Sequence, residues 1–345
     1  MNNLKVGLKQ EECTEDSIII EGISKHFGKI QALDKVSLNV PEGIVFALLG
    51  PNGSGKTTLI RILTTLLIPD SGIAHVGGFD IRKQAQSIRP IIGLAGQYPA
   101  VDEDLTGREN LEMIGQLYHL GNTKSRARAG ELLETFKLTD AGNRRVKTYS
   151  GGMRRRLDLA ATMVAEPSIL FLDEPTTGLD PRSRFGLWDV ISKLTKDCHT
   201  VFLTTQYLEE ADRLADKIAI MDSGKIIRIG TPKELKECCG GETRVKMKLV
   251  DPGKTKIAVE LLGELGEQAH SVAETGDISI PADGGPYILS EVVRRLDAGG
   301  IQLAELGLTQ PTLDDVFLAI TDHAAENETT TPKSAKSGSK TDGAK

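Results

Sequence analysis

The sequence predicts an α/β protein with a second, smaller α+β domain at its C-terminal end. Apolar, β-branched segments such as residues 169–173 and 200–205 alternate with segments in which apolar residues recur at helical spacing. This alternation is typical of a mostly parallel sheet covered by helices. The chain has 345 residues, and a single core rarely grows beyond about 300 residues. We therefore expect two ordered domains, at residues 17–235 and 243–322.

The composition excludes several classes of protein. A formal net charge of −6 gives no overall attraction to nucleic acid or anionic lipid. Aromatic residues make up only 4% of the chain, too few for the stacking surfaces that bind single-stranded nucleic acid. The four cysteines fit neither metal-binding spacing nor a disulfide framework. The apolar runs are far shorter than the roughly 20 residues that span a bilayer, so we expect a cytoplasmic chain that does not cross a membrane by itself.

The first domain begins with strands. Residues 1–16 are polar and are expected to be flexible, whereas residues 17–27 and 35–40 are rich in β-branched residues. The apolar run "IVFALLG" is typical of a strand buried on both faces of a sheet. The segment "TTLIRILTTLL" then predicts a helix, because its apolar residues recur at helical spacing. These residues are Leu59, Ile62, Leu63, Leu66 and Leu67.

Residues from about 100 to 166 predict a helical subdomain. Thr106 and Glu109 match a capping box at a helix start. A later helix is expected to begin near Ser150 and to be closed by Pro167. Strands return in "SILFLD", "TVFLTT" and "KIAIMD".

The composition changes after "GTPKEL", and "CCGGE" is a candidate linker. Alternating apolar residues in "RVKMKLVD" predict a half-exposed strand. A helix near residues 255–265, a strand "ISI", a helix ending at Gly299 and a strand "IQLAEL" follow. A last helix is expected from Thr312, with Asp315 in its first turn. Its apolar face comprises Leu313, Val316, Phe317 and Ile320. Residues 324–345 have no apolar face and are expected to be disordered.

The segment "GPNGSGKTT", residues 50–58, matches the P-loop pattern and lies between a buried strand and a helix. Its glycines allow backbone N–H groups to surround phosphate oxygens. Lys56 can supply charge to the β- and γ-phosphates, and Thr57 can ligate Mg²⁺. The candidate nucleotide-binding residues here are Gly50, Pro51, Asn52, Gly53, Ser54, Gly55, Lys56, Thr57 and Thr58.

Two adjacent acids, Asp173 and Glu174, end an apolar strand. Neighbouring strand residues point to opposite sides, so the two carboxylates can divide their roles. We expect Asp173 to hold Mg²⁺ through water and Glu174 to act as general base or to polarise the attacking water.

The segment "YSGGMRRRLDLA" predicts a second anion site. Ser150 can cap a helix whose first residues, Gly151 and Gly152, leave their N–H groups accessible to phosphate. An ordinary capped helix is the alternative. A single chain needs only one phosphate site for each nucleotide, so the residues alone do not explain a second one.

These motifs together resemble the nucleotide-binding subunit of ATP-binding cassette (ABC) transporters. The matching segments are the P-loop, Gln97 in "GLAGQYP", "SGGMRRR", "LFLDEP" and "TTGLD", and the resemblance covers roughly residues 17–235. It implies a P-loop NTPase ABC cassette with ATPase activity. It also implies a homodimer that holds two ATP molecules head to tail, so that Ser150, Gly151 and Gly152 contact the ATP of the partner.

The resemblance implies roles for three further residues. Phe27 stands where an aromatic residue stacks on adenine, although simple core packing is an alternative. Gln97 stands where a glutamine contacts Mg²⁺ or water, so the implied metal set is Thr57, Gln97 and Asp173. Asp180 stands in the loop that crosses the dimer interface.

The phrases "TTQYLEEADRLAD" and "PTLDDVFLAIT" resemble the daunorubicin-resistance-type branch of drug exporters. This implies a separate ABC-2-type membrane permease, a peripheral position on the cytoplasmic face of the membrane, and efflux of a drug or other amphipathic substrate. Gln206 stands where most cassettes carry a histidine that reaches the γ-phosphate. Glutamine keeps a neutral donor and an acceptor, so we expect it to bridge phosphate and Glu174 with hydrolysis about tenfold slower.

The alternative is a soluble ABC ATPase that acts as a regulatory switch or on nucleic acid or ribosomes. Only 150 − 56 = 94 residues separate Lys56 from Ser150, too few for the long coiled coil of chromosome-type members. The chain has one cassette, and its one basic cluster, "NRRVKTYSGGMRRR", is explained by an interface that faces ATP. The sequence therefore favours no nucleic-acid partner.

Overall fold

The computed structural model describes residues 16–97, 100–195, 199–238, 243–266, 269–272, 275–282, 287–309, 312–314 and 316. The chain divides into two compact units between residues 233 and 234. Of the flexible segment predicted at residues 1–16, only Asp16 is described, and it begins the first strand. Most of the "CCGGE" linker and the predicted disordered tail lie outside the described residues. No helix within the described ranges has the length and apolarity needed to cross a bilayer.

The first unit combines two sheets with covering helices. Its strands are β1 (Asp16–Phe27), β2 (Ile30–Pro41), β3 (Val45–Leu49), β4 (Ser71–Val76), β5 (Phe79–Asp80), β6 (Ile92–Ala95), β7 (Ile169–Asp173), β8 (Thr200–Thr205), β9 (Lys217–Asp222) and β10 (Lys225–Gly230). Its helices are α1 (Lys56–Leu63), α2 (Ala85–Ile88), α3 (Gly107–Leu117), α4 (Asn122–Thr135), α5 (Gly151–Thr162), α6 (Pro181–Leu194) and α7 (Leu208–Leu214). Helix α8 (Pro232–Cys238) spans the division between the units.

The larger sheet is mostly parallel, as the sequence predicts. Its strand order is β10-β9-β3-β8-β7-β6, with only β10 antiparallel to its neighbour. Strands β3, β7 and β8 are buried along their whole length. Register places Leu49 beside Thr205 and Asp173 beside Thr204. The residues that follow these three strands therefore emerge at one edge of the sheet.

Three phenylalanines form a row across the middle of this sheet. The rings of Phe46 and Phe202 stack with centroids 5.5 Å apart, and those of Phe171 and Phe202 lie 5.7 Å apart. Such aromatic pairs stabilise a fold by about 0.5–1.5 kcal/mol each beyond the burial of their surface. The row holds β3, β8 and β7 together beneath the edge where they end.

Two predicted helices are shorter than expected. The sequence predicts a helix through Leu67, but α1 ends at Leu63, because the N–H groups of Leu66 and Leu67 both turn back to the carbonyl of Arg61. Leu66 is consequently 65% exposed. The helix that begins after Ser150 ends at Thr162, before Pro167. The predicted capping box of Thr106 and Glu109 is confirmed at the start of α3.

Within the described residues, the second unit contains an antiparallel sheet and the helices that cover it. Its elements are β11 (Arg244–Leu249), α9 (Thr255–Leu262), β12 (His270–Val272), β13 (Asp277–Pro281), α10 (Tyr287–Ala298) and β14 (Leu303–Thr309). The strand order is β12-β13-β11-β14. The predicted alternation is confirmed, since Val245, Met247 and Leu249 are buried in the core of this unit.

The predicted last helix is described only in part. Residues 313, 314 and 316 are helical, and Leu313 and Val316 are buried. Asp315, Phe317 and Ile320 lie outside the described residues. The strand predicted from "IQLAEL" begins two residues later than expected and continues to Thr309.

Candidate active site

The glycine-rich loop joins the end of β3 to the start of α1. The N–H of Gly50 donates to the carbonyl of Thr205 at 3.2 Å, which ties the loop to the end of β8. A Cβ atom on Gly50 would lie 2.2 Å from the carbonyl oxygen of Met221, so a larger residue does not fit. Gly55 has φ of 109°, a left-handed value that glycine adopts without strain. Two glycines therefore shape the ends of the loop.

Lys56 is the first residue of α1 and is almost fully buried. Its Nζ donates to the carbonyls of Gly50 and Pro51, both at 2.9 Å, and lies 3.5 Å from Oε1 of Glu174. Burial lowers the pKa of Lys56, and the negative charges of Glu174 and Asp173 oppose this effect. The ammonium is thus held inside the loop, where it can meet a phosphate.

The rest of the loop contains a buried hydroxyl that lacks a partner. Oγ of Ser54 makes no hydrogen bond to any described residue, and a buried polar atom without a partner is costly. The N–H of Ser54 donates to the carbonyl of Pro51 at 3.3 Å, which curls the backbone. Asn52 and Gly53 at the tip are exposed, and Thr58 is half-buried in α1. The loop has the shape and the free donor that phosphate binding requires.

Oxygen-bearing side chains from four elements converge beside the lysine. Oγ1 of Thr57 donates to Oδ1 of Asp173 at 3.2 Å, and Nε2 of Gln97 donates to the same hydroxyl at 3.4 Å. Oγ1 of Thr204 also donates to Oδ1 of Asp173, at 2.6 Å. The predicted metal set of Thr57, Gln97 and Asp173 is therefore brought together, and Thr204 is a member of the cluster that the sequence did not reveal.

These side chains fit a Mg²⁺ ion that is also bound by nucleotide phosphates. They do not form a complete metal site made of protein ligands alone. Among the described residues, no group of three or more His, Cys, Asp or Glu side chains could hold a metal ion. Mg²⁺ at nucleotide sites uses one or two carboxylates together with substrate phosphates and water, and all its ligands are oxygens. A hydroxyl, a carboxylate and an amide beside a phosphate loop match that chemistry.

Glu174 is held by its backbone in a strained conformation. Its φ is 47°, a left-handed value that costs a residue with a side chain about 1–2 kcal/mol. Its N–H donates to both the carbonyl and the hydroxyl of Thr204, each at 3.1 Å. Its Oε2 accepts from the hydroxyl of Thr177 at 3.3 Å. The carboxylate is thus aimed by contacts on both sides.

Gln206 directly follows β8 and is half-buried. The N–H of Tyr207 donates to the hydroxyl of Thr205 at 2.9 Å, and the guanidinium of Arg184 lies 5.0 Å from the centre of the Tyr207 ring. The backbone on both sides of Gln206 is therefore fixed. Because β7 and β8 are parallel neighbours, Gln206 and Glu174 lie at the same edge of the sheet.

The predicted signature lies at the start of α5. Its residues are Ser150, Gly151 and Gly152. Oγ of Ser150 accepts from the N–H of Met153 at 3.3 Å, as expected of a helix cap. A Cβ atom on Gly152 would lie 2.4 Å from Oγ of Ser183 on α6. Asp180 caps α6 by accepting from the N–H of Ser183 at 3.0 Å and from its hydroxyl at 2.5 Å. Those hydrogen bonds hold the pKa of Asp180 below its usual value.

Phe27 ends β1 and is 49% exposed, so it is not a core residue. Asp70 fixes the backbone before it: one carboxylate oxygen accepts from Nζ of Lys25 and the other from the N–H of His26, both at 2.7 Å. These hydrogen bonds lower the pKa of Asp70 to about 2. The aromatic ring is thereby presented at the end of a clamped strand.

Sequence reasoning missed Arg155, the second arginine of "SGGMRRR". The basic cluster is expected to face ATP at an interface, but Arg155 is only 6% exposed. Its guanidinium donates to the carbonyls of Gly96, Asp173 and Pro175 at 2.6, 3.3 and 2.8 Å. It also donates to Oδ2 of Asp158 at 3.1 Å. Arg155 and Asp158 are opposite charges one helical turn apart, and this spacing could have indicated an ion pair within the chain.

Arg155 holds together three segments that carry predicted site residues. Gly96 precedes Gln97, and Asp173 and Pro175 lie on either side of Glu174. Burial lowers the pKa of Arg155, and the charges of Asp158 and Asp173 oppose this effect. The expectation that the whole cluster faces ATP is therefore wrong for this one residue, which stabilises the active site from inside its own chain.

Comparison with known proteins supports the family expected from these motifs. A family model described as ABC transporter matches residues 33–177. Daunorubicin resistance ATP-binding protein DrrA2 of Streptomyces coeruleorubidus is 49% identical over 308 residues, which cover 89% of this chain and 95% of that protein. Doxorubicin resistance ATP-binding protein DrrA of Mycobacterium tuberculosis is 46% identical over 318 residues, which cover 91% of this chain and 96% of that protein.

Solved structures show the same fold. A dimeric ATP-binding cassette in a post-hydrolysis state with ADP and phosphate is 27% identical, with a TM-score of 0.57, and covers 62% of this chain and 98% of its own. CbiO1 of Clostridium perfringens, part of an ABC transporter complex, is 26% identical, with a TM-score of 0.60, and covers 66% of this chain and 94% of its own. With its phosphate loop, paired carboxylates and relatives along nearly the whole chain, this protein belongs to the ATP-binding proteins of ABC transporters, which bind and hydrolyse ATP.

Proposed function

We propose that this chain is the ATP-hydrolysing subunit of an exporter that removes a drug or another amphipathic compound. The observation that carries the proposal is the cluster in which Lys56 lies 3.5 Å from Glu174 while Thr57 contacts Asp173 at 3.2 Å. These contacts support a site that combines a phosphate-binding cation, a base and a metal-ligand pair. The drug-resistance proteins described above support export rather than a soluble switch or work on nucleic acid.

Thr57, Asp173 and Gln97 would hold Mg²⁺, with Asp173 acting through a water molecule. When bound, Mg²⁺ supplies charge that offsets the negative charge on the β- and γ-phosphates. Thr204 keeps the Asp173 carboxylate oriented through its 2.6 Å hydrogen bond. The phosphates themselves are held by the backbone of the loop and by Lys56.

Glu174 would orient the attacking water and accept its proton. Its carboxylate receives the hydroxyl of Thr177 at 3.3 Å, which leaves further lone pairs for water. Gln206 would contact the γ-phosphate through its amide N–H and Glu174 through its carbonyl. An amide carries no charge, so this contact is weaker than the one a charged histidine would make.

Two copies of the chain would hold two ATP molecules between them. Ser150, Gly151 and Gly152 would contact the γ-phosphate bound by the partner, since the start of α5 combines free N–H groups with the positive end of a helix dipole. Asp180 would lie in the loop that crosses the interface. Phe27 would stack on adenine, for which its exposed ring is suited.

The exporter would be completed by a separate membrane permease of the ABC-2 type. The chain would then bind peripherally at the cytoplasmic face of the membrane. The drug contacts would lie in the permease, so this chain determines the energy supply rather than the substrate.

The test is to compare Glu174→Gln with Glu209→Gln, a matched change at an exposed position on α7. We expect Glu174→Gln to lower the ATPase kcat of the purified protein at least 100-fold, because a positioned general base contributes about 10²–10⁴-fold. Glu209→Gln should hydrolyse ATP normally. In cells that express the chain together with a candidate permease, only Glu174→Gln should abolish drug efflux. Normal hydrolysis by Glu174→Gln would disprove the catalytic assignment, and efflux that does not respond to it would disprove the export role.

A further inference from the structure

A carboxyl group that the reaction does not touch lies buried beneath the active site. Glu210 is on α7, four residues beyond Gln206, and is fully buried. Its Oε1 accepts from the indole N–H of Trp188 on α6 at 3.0 Å. Its Oε2 is buried and has no hydrogen-bond partner in the part of the chain that the structure describes. A carboxyl is costly to bury in this way, so a role beyond packing must be considered.

The hydroxyls beside this carboxyl belong to the two segments that carry the proposed catalytic groups. Thr205 and Thr176 both lie next to the carboxyl and favour its charged form. Thr205 directly precedes Gln206, and Thr176 lies two residues after Glu174. The hydroxyl of Thr176 is itself buried, with no hydrogen bond to the described residues. The Glu210 side chain therefore lies between the segment that carries Gln206 and the segment that carries Glu174.

The buried surroundings of Glu210 favour its protonated form. Burial raises the pKa of Glu210, and the polar groups of Thr205, Trp188 and Thr176 and the charge of Arg184 oppose this effect. The charge of Arg155 also reaches this carboxyl. A protonated carboxyl can donate through one oxygen and accept through the other. It can therefore donate to a threonine hydroxyl while it accepts from the indole.

Helix α7 is also fixed to α6 by contacts around this carboxyl. The guanidinium of Arg213 on α7 lies 5.3 Å from the ring centres of both Phe185 and Trp188 on α6. The N–H of Glu210 donates to the carbonyl of Tyr207 at 3.2 Å, which closes the first turn after Gln206. Movement of the Glu210 side chain would thus shift the turn that carries Gln206.

We propose that Glu210 is a positioning residue for ATP hydrolysis. It fixes, from inside the protein, the turn that carries Gln206 and the segment that follows Glu174. The inference rests on the proposed roles of those two residues, and it assigns to Glu210 no contact with ATP. Small displacements of catalytic groups lower kcat strongly, whereas the phosphate loop, which binds ATP, would be left in place.

The main test compares Glu210→Leu, Glu210→Gln and Ile191→Ala in the full chain. Ile191 is fully buried on α6 and lies outside the site, so its variant is a control for loss of stability alone. We expect Glu210→Leu to lower kcat about tenfold with the KM for ATP changed less than about twofold. Glu210→Gln should keep kcat within about twofold, because an amide also donates and accepts. Ile191→Ala should lower Tm and keep kcat.

Two results would overturn the proposal. One is a kcat for Glu210→Leu that equals that of Ile191→Ala at temperatures equally far below the Tm of each. The other is a loss of activity in Glu210→Gln as large as in Glu210→Leu. If Glu210→Leu does not fold, Trp188→Phe replaces it, since this change removes the indole hydrogen bond to Oε1. A folded Trp188→Phe with the parental kcat would also overturn the proposal.

Combination with Gln206→Ala separates this inference from the proposed role of Gln206. If the two residues act together, Glu210→Leu should have much less effect on kcat when Gln206 is already alanine. If Gln206→Ala alone has the parental kcat, the role of Gln206 is wrong. Glu210→Leu then still tests support of the Glu174 segment, and a parental kcat in that variant would disprove Glu210 as a positioning residue.

Discussion

Gly152 and Ser183 approach each other so closely that a Cβ atom on Gly152 would lie 2.4 Å from Oγ and 2.6 Å from Cβ of Ser183. This contact packs the start of α5 against the start of α6. Ser183 also bonds Asp180, which caps α6. The proposed signature and the proposed interface loop are therefore joined within a single chain.

The first prediction is that Gly152→Ala destabilises the fold by about 1–3 kcal/mol, the usual cost of overpacking. Ser183→Gly removes both atoms that the new methyl group would meet, so the double variant Gly152→Ala/Ser183→Gly should recover part of the loss. Chemical denaturation measures all three variants. If the two losses of stability simply add in the double variant, the contact between residues 152 and 183 is not the cause of the destabilisation.

The second prediction concerns Arg155. Arg155→Met should destabilise the fold by about 3–5 kcal/mol, because it leaves the buried Asp158 carboxylate without its partner. It should also lower kcat, since the guanidinium holds the backbone on both sides of Glu174. Arg154→Met is the matched control: Arg154 pairs with Glu103 nearer the surface, and such pairs contribute about 0–1 kcal/mol. Equal losses of stability and of kcat in the two variants would contradict the role given to Arg155.

The third prediction compares substitutions at the two ends of β8. Thr204→Val removes the donor to Asp173. We expect a higher Mg²⁺ requirement for hydrolysis and a kcat at least about tenfold lower, because a hydrogen bond to a charged group contributes about 1.5–3 kcal/mol. Thr200→Val removes partly buried hydrogen bonds to the hydroxyl of Ser17 and the N–H of Gly43, at the other end of the strand. It should lower stability without a change in the Mg²⁺ dependence of the ATPase rate.

The fourth prediction concerns nucleotide affinity. Asp70→Asn should raise the KM for ATP with little change in kcat, because it loosens the backbone before Phe27. Asp16→Asn, which weakens a contact to Asn39 at the other end of β1, should leave KM unchanged. The folded pKa of Asp70 is about 2, below the ordinary value of about 3.9. The stability that ionised Asp70 gives to the folded state is therefore complete above pH 3.9, and it is lost only as the pH falls towards 2. The KM for ATP of Asp70→Asn should thus exceed that of the parental protein and of Asp16→Asn by the same factor at every pH between 6 and 8.

The fifth prediction follows from the raised pKa of Glu210. A carboxyl whose pKa is higher in the folded state stabilises the fold fully below its unfolded pKa of about 4.3. That stability is lost as the pH rises through the folded pKa. Glu210→Gln does not ionise, so its stability relative to the parent should increase as the pH rises above about 4.3. Denaturation at several pH values measures this, and a difference in stability that stays constant above that pH would show that burial does not keep Glu210 protonated in the folded protein.

Local motifs made most of the active site predictable. Lys56, Thr57 and Asp173 come together because each follows a recognisable boundary between a strand and a loop, and parallel strands end at one edge. Arg155 and Glu210 were not identified, because a charged residue is buried only when distant segments provide its partners. For Arg155 those partners are carbonyls at Gly96, Asp173 and Pro175. No pattern within α5 encodes them.

The boundaries of the helices were less predictable than their existence. Leu66 and Leu67 continue the apolar spacing of α1, yet the chain leaves the helix at Thr64, since backbone N–H groups turn back to Arg61. Periodicity records which residues can share a face, whereas the end of a helix is decided by local hydrogen bonds. The capping box at Thr106 was predictable because both of its partners are close in sequence.

The left-handed backbone of Glu174 has a consequence for how such a protein can evolve. Glycine at this position would relieve strain of about 1–2 kcal/mol, so a change that relaxes the backbone here also removes the carboxylate. Selection for stability alone would favour chains that bind ATP and no longer cleave it. Keeping the glutamate therefore requires selection for turnover.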